Sequence, residues 1–118
     1  MSKIYHLSTC TTCKKVLARL EGAEHLEKQD IKTEKITAEQ LDEMKSLAGS
    51  YEALFSRRAM KYRSMGLADQ KLTEDDYRRL ILEEYTFLKR PVIVVGDAIF
   101  VGSSKKQVEG AVVALGLS

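Results

Sequence analysis

The sequence predicts an α/β fold, a mixed four-stranded sheet with helices on both faces, and three observations predict it. A short strand at the N-terminus runs into a polar loop and then a helix. Residues 37–88 carry helical periodicity almost throughout. The last thirty or so residues hold the strongest strand signal, a two-residue turn, a second strand and a closing helix. The order is β-α-β, helical block, β-β-α.

Taken in order, Lys3-Ile4-Tyr5-His6-Leu7 reads as a strand because branched and aromatic residues dominate it. Ser8, Thr9, Thr11 and Thr12 surround Cys10 with turn and capping types. Val16, Leu17 and Leu20 then recur at helical spacing until Gly22 stops the helix. Residues 26–32 are read as a second strand with weak alternation. Thr37-Ala38-Glu39-Gln40 matches a capping box, after which Leu41, Met44 and Leu47 line one face as far as Gly49. Tyr51 to Phe55 and Met60 to Met65 read as short helical pieces interrupted by Ser56-Arg57-Arg58. Thr73 opens another helix, with Tyr77, Leu80, Ile81 and Tyr85 expected on its buried side. Arg90-Pro91 precedes Val92-Ile93-Val94-Val95, and Gly96-Asp97 turns the chain into Ala98-Ile99-Phe100-Val101. Val108, Val112 and Leu115 predict a final helix from about Ser104 to Leu115.

A chain of 118 residues forms one domain, 1–118, and buries enough surface for a core without staples. Its apolar fraction of 44% and charged fraction of 31% exclude a disordered chain. No apolar run approaches the roughly 20 residues of a membrane span, and the N-terminus lacks the apolar stretch of a signal peptide. The expectation is a cytoplasmic protein away from membranes. A net charge of +2 does not predict direct nucleic-acid binding. Arg57, Arg58, Lys61 and Arg63 form a basic cluster, read first as a solvated face.

The chain has two cysteines, Cys10 and Cys13, in Cys-Thr-Thr-Cys. Random placement would put two cysteines three apart in only about 2% of chains this long, by pair counting. A structural zinc site draws four ligands. Only His6 and His25 are on hand to complete one, so no metal is expected. The remaining chemistry is that of the thiolate. An ordinary thiol with a pKa of about 8.5 is roughly 3% ionised at pH 7. Exposed N–H groups at a helix start favour the anion. A pKa lowered to about 6.5 would make roughly three-quarters of it reactive, for under about 3 kcal/mol. Position assigns Cys10 as nucleophile and Cys13, one turn into the helix, as resolving thiol. His6, four residues earlier, would favour the Cys10 anion as an imidazolium. Arg57, Arg58 and Arg90 are candidate anion ligands, because guanidinium forks bind oxyanions bidentately.

Tyr5-His6-Leu7-Ser8-Thr9-Cys10 with Cys13, Lys89-Arg90-Pro91-Val92-Ile93-Val94, and the closing Val101-Gly102 together resemble the arsenate reductase (ArsC)/Spx family over essentially the whole chain. The resemblance implies a thioredoxin-like core with the helical block of about 37–88 inserted into it, and a cis peptide at Pro91. It also implies that Cys10 is the reactive thiol and His6 the pKa-lowering histidine. Arsenate reductases hold their oxyanion with three arginines. Arg90 matches one; a second falls on Ser56, where Arg57 or Arg58 must substitute; Val101-Gly102-Ser103 has none where the third should lie. The Cys-x-x-Cys pair also departs from the glutaredoxin-coupled enzymes and is closer to Spx, a redox-sensing regulator that binds RNA polymerase. Two functions are therefore expected. One is a thiol–disulfide oxidoreductase acting on a small oxyanion or a protein disulfide, reduced by glutathione/glutaredoxin or thioredoxin with no bound cofactor. The other is an Spx-like regulator that contacts the polymerase α-subunit near Gly49 to Tyr51. The chain is expected to be a monomer.

Overall fold

The hydrophobic face of the first helix and the branched residues of the last strands meet around one set of side chains, which organises the sheet. The computed structural model describes residues 2–117. The chain divides into two compact units: residues up to 35 together with those from 90 onward, and residues 36–89.

In the first unit, β1 (Ser2–His6) lies between β2 (Leu26–Asp30) and β3 (Val92–Val95), with β4 (Ala98–Val101) beyond β3, giving the order β2-β1-β3-β4. β1 runs parallel to β2, with His6 opposite Asp30, and antiparallel to β3, with Ile4 opposite Ile93. The sheet is therefore mixed, as the sequence predicts. A parallel pair needs a crossover, and α1 (Thr11–Arg19) supplies it. β3 and β4 form a hairpin in which Gly96 takes φ 58°, a conformation open to glycine without steric cost. α5 (Lys105–Ala114) starts at Ser104, whose hydroxyl accepts the Gln107 N–H. Val16 of α1, Leu20 at its C-terminal cap, and Val108, Ala111 and Val112 of α5 pack with Ile4 and Ile93 into one buried cluster. Arg19 and Glu109 join the two helices outside it at 2.7 Å. Gly110 lets α5 approach the sheet, since a Cβ there would lie 2.7 Å from the Phe100 ring. At the outer strand β4, the Val101 N–H donates to Gln107 Oε1 at 3.1 Å.

The second unit holds α2 (Ala38–Ala48), α3 (Met60–Ser64) and α4 (Glu74–Glu83), with single 3-10 turns at Glu52–Leu54, Leu67–Asp69 and Tyr85–Phe87. Both predicted helix starts are capping boxes, Thr37 with Gln40 and Thr73 with Asp76. Gly49 ends α2 with φ 98°. The core of this unit centres on Phe55, fully buried, whose ring lies 5.0 Å from Phe87 and 4.9 Å from Tyr77. A short antiparallel bridge closes the unit: the Ser56 N–H donates to Phe87 O at 2.7 Å and the Lys89 N–H to Leu54 O at 2.8 Å.

The end of α4 differs from the expectation. Tyr85 continues the spacing of Tyr77 and Ile81 but does not lie on the helix and is only half-buried. Glu84 adopts φ −136°, ψ 112°, and its carboxylate accepts the Thr86 N–H, starting a separate 3-10 turn. The second strand likewise stops at Asp30 rather than continuing to Lys32.

Candidate functional site: a paired-thiol centre

The end of β1 delivers the chain into a tight loop and then directly into α1. The Cys10 N–H donates to Leu7 O at 2.9 Å, and the Cys10 carbonyl accepts the Lys14 N–H at 3.1 Å. Cys10 has φ −89° and ψ 117°, the extended geometry of an N-cap, and no acidic residue occupies the first turn of α1. By contrast, α4 opens with Glu74, Asp75 and Asp76. The amide dipoles at the start of α1 are thus left to the sulfur.

Both cysteines are free thiols; Cys10 is partly exposed and Cys13 is fully buried. Their side chains are hydrogen-bonded to each other. Burial by itself would raise the pKa of Cys10. The Cys13 N–H, the Cys13 thiol, the Thr12 N–H and the charge of Arg90 act the other way and hold it below the ordinary thiol value. Cys13 moves in the opposite direction. Its burial, together with the adjacent Cys10 charge and hydrogen bond, pushes it up to about 11 against backbone hydrogen bonding from Leu7 and the charge of Arg90. Of the two sulfurs, Cys10 is the one that gives up its proton more readily.

Arg90 precedes β3, half-buried, and the Arg90–Pro91 peptide is cis. The structure therefore brings Cys10, Cys13 and Arg90 together. His6 ends β1 with its Nδ1 buried and making no hydrogen bond among the described residues. Across the ladder it faces Asp30, whose carboxylate accepts the Lys32 N–H at 3.1 Å and the Ser8 N–H at 3.5 Å. Bonding to the Ser8 side chain is the main influence on Asp30. Together with those two amides and the charge of His6 it outweighs a small cost of burial and lowers the carboxyl pKa.

Arg57 and Arg58 belong to the second unit. Arg57 pairs with Glu52 at 2.7 Å and donates to the Tyr77 hydroxyl at 3.0 Å, and its pKa is raised chiefly by Glu52. Arg58 is exposed and makes no ion pair among the described residues. Sequence reasoning does not single out Asp30 or the Leu7 backbone. An aspartate closing a strand before Ile-Lys carries only the signal of a turn. Among the described residues no group of three or more His, Cys, Asp or Glu could hold a metal ion. None of their helices is long and apolar enough to cross a membrane.

Comparison with known proteins gives a consistent picture. The model of the ArsC family matches residues 5–111. Among solved structures, a Staphylococcus aureus COL protein determined in solution by NMR is 30% identical. It superposes with a TM-score of 0.76 over 93% of this chain and 97% of its own. An arsenate reductase (ArsC) related protein from Brucella melitensis is 26% identical, with a TM-score of 0.69 over 92% of both chains. An arsenate reductase from Vibrio cholerae shares the fold at 21% identity, with a TM-score of 0.79 over 93% of this chain and 96% of that one. A search of curated proteins found no match.

Proposed function

This chain belongs to the ArsC family, and from that premise we propose that it is a thiol–disulfide oxidoreductase with Cys10 as nucleophile and Cys13 as resolving thiol. The observation that carries the reading is the opposite tuning of two thiols in hydrogen-bond contact. The Cys10 thiolate attacks one sulfur of a disulfide substrate, forming a mixed disulfide and releasing the other sulfur as a thiolate, which takes a proton from water. Cys10 has then lost its charge, which removes one of the influences that raise Cys13. Cys13 gives up its proton and attacks the Cys10 sulfur, expelling the substrate's second thiolate. The Cys10–Cys13 disulfide holds two fewer electrons, which two external thiols of the glutathione or thioredoxin class return.

An oxyanion substrate would use the same pair, with the Arg90 guanidinium beside the thiols as its anion ligand. The missing arginine at Val101-Gly102-Ser103 favours the disulfide as substrate. His6 is assigned the supporting charge beside the loop, and Pro91 the backbone that faces it.

The test is turnover of oxidised glutathione and of arsenate with thiol regeneration, comparing wild type with Cys10→Ser. Cys10-dependent turnover of the disulfide is expected, and its absence with both substrates removes the enzyme reading. The Cys-x-x-Cys pair also favours a second reading, an Spx-like regulator switched by the same disulfide. Binding to the carboxy-terminal domain of the RNA polymerase α-subunit, with and without oxidant, tests it; no binding in either state excludes it.

A further inference from the structure

One carboxylate outside the thiol pair touches the loop that carries Cys10. Asp30 closes β2, with His6 facing it across the parallel ladder, and the Ile31 N–H donates to His6 O at 2.9 Å just beyond. The residue is itself well fixed. Its carbonyl accepts the Glu34 N–H at 2.8 Å and the Thr33 hydroxyl at 3.4 Å. Its Oδ1 reaches back across the sequence to the Ser8 N–H at 3.5 Å while also accepting the Lys32 N–H at 3.1 Å. Ser8 directly follows Leu7. The Leu7 carbonyl receives the Cys10 N–H at 2.9 Å, and the Leu7 backbone is also hydrogen-bonded to the Cys13 thiol.

We infer that Asp30 is a positioning residue for the thiol pair: by holding Ser8 it fixes the Leu7 backbone, to which both cysteines are bonded, and so sets where the Cys10 sulfur meets the start of α1. Its functional meaning rests on the thiol-exchange reading above. Asp30 touches neither sulfur and takes no proton in the reaction. Its side chain is needed as a hydrogen-bond acceptor, a role that asparagine can fill and alanine cannot.

The experiment is the pH profile of Cys10 alkylation by iodoacetamide in wild type, Asp30→Ala, Asp30→Asn and Ser8→Ala, with melting followed by circular dichroism. Asp30→Ala is expected to raise the apparent Cys10 pKa and slow alkylation at pH 7 by about 3-fold or more. Asp30→Asn is expected to stay within about 2-fold of wild type. A wild-type profile in Asp30→Ala overturns the inference, even if its melting point falls. So does a loss in Asp30→Asn equal to that in Asp30→Ala, which would mean that charge and not position matters. If Asp30→Ala does not fold, Ser8→Ala decides, because it leaves the backbone in place and removes the Ser8 hydroxyl, whose bond to the Asp30 carboxylate is the main link between the two residues. A shift in the same direction is expected, and no shift overturns the inference. The two readings fail separately. An ordinary thiol pKa in wild type defeats the exchange mechanism, whereas a lowered value that survives Asp30→Ala defeats only the role of Asp30.

Discussion

At Cys10 two amides, a neighbouring thiol and a guanidinium oppose the cost of burying a charge, and they prevail. The lowered value has a sign in stability. The Cys10 anion contributes above the ordinary thiol pKa, and that contribution is lost as pH falls through the lowered folded value. Cys13 behaves in reverse. The folded chain keeps its proton up to about 11, while an unfolded thiol releases it near 9.0. Stability from Cys13 is therefore full below the unfolded value and declines as pH rises toward the folded one, by an amount of order 2 kcal/mol. Urea denaturation at pH 8 and pH 10.5 should show this decline in wild type. The part of it absent from Cys13→Ala measures the Cys13 contribution, and identical pH dependence in both proteins would refute the assignment. The place of Cys10 at a helix start is legible in the sequence, since capping residue types flank it. The Leu7 and Asp30 contacts are not, because they depend on two strand ends meeting in space.

Helix starts are legible where side chains write them. Thr37 and Thr73 announce their helices by reciprocal bonding with the residue three positions on. Thr37→Ala should cost about 1 kcal/mol, read as a lower urea midpoint with unchanged m-value. The end of α4 is less legible. The apolar spacing through Tyr85 continues the helix on paper, but Glu84 leaves helical geometry and caps the turn that follows. A competing local bond decides that boundary, and periodicity carries no trace of it. The second unit also ties α4 to its neighbours by charge: Arg78 holds Asp42 through two hydrogen bonds at 2.9 and 3.2 Å, and Glu74 accepts the Tyr51 and Glu52 amides at 2.7 and 3.1 Å. Arg78 and the Tyr51 hydroxyl hold the Asp42 pKa at about 2. These partners lie far apart in sequence, and nothing in the residue pattern pairs them.

At the scale of the molecule there are two cores, one around Ile93 and one around Phe55. Truncation should be costly in either. Ile93→Ala is expected to cost about 2–5 kcal/mol and Phe55→Ala about 3–5 kcal/mol, both measured by urea denaturation. A loss under about 1 kcal/mol at either position would contradict the packing described for that core. Element order and the hairpin of β3 and β4 follow from the sequence, because branched residues and Gly96-Asp97 mark them locally. The placement of β1 between β2 and β3 is a property of the assembled sheet and leaves no local signature.

Gln107 has a consequence beyond its own chain. A strand at the rim of a sheet is an open invitation to foreign backbone, and β4 carries no charged side chain to repel it. By occupying the Val101 amide, the Gln107 carboxamide denies an incoming chain that rung of the ladder. A newcomer would have to evict an intramolecular tenant first. Resistance to clumping in a crowded milieu thus rests partly on one amide side chain.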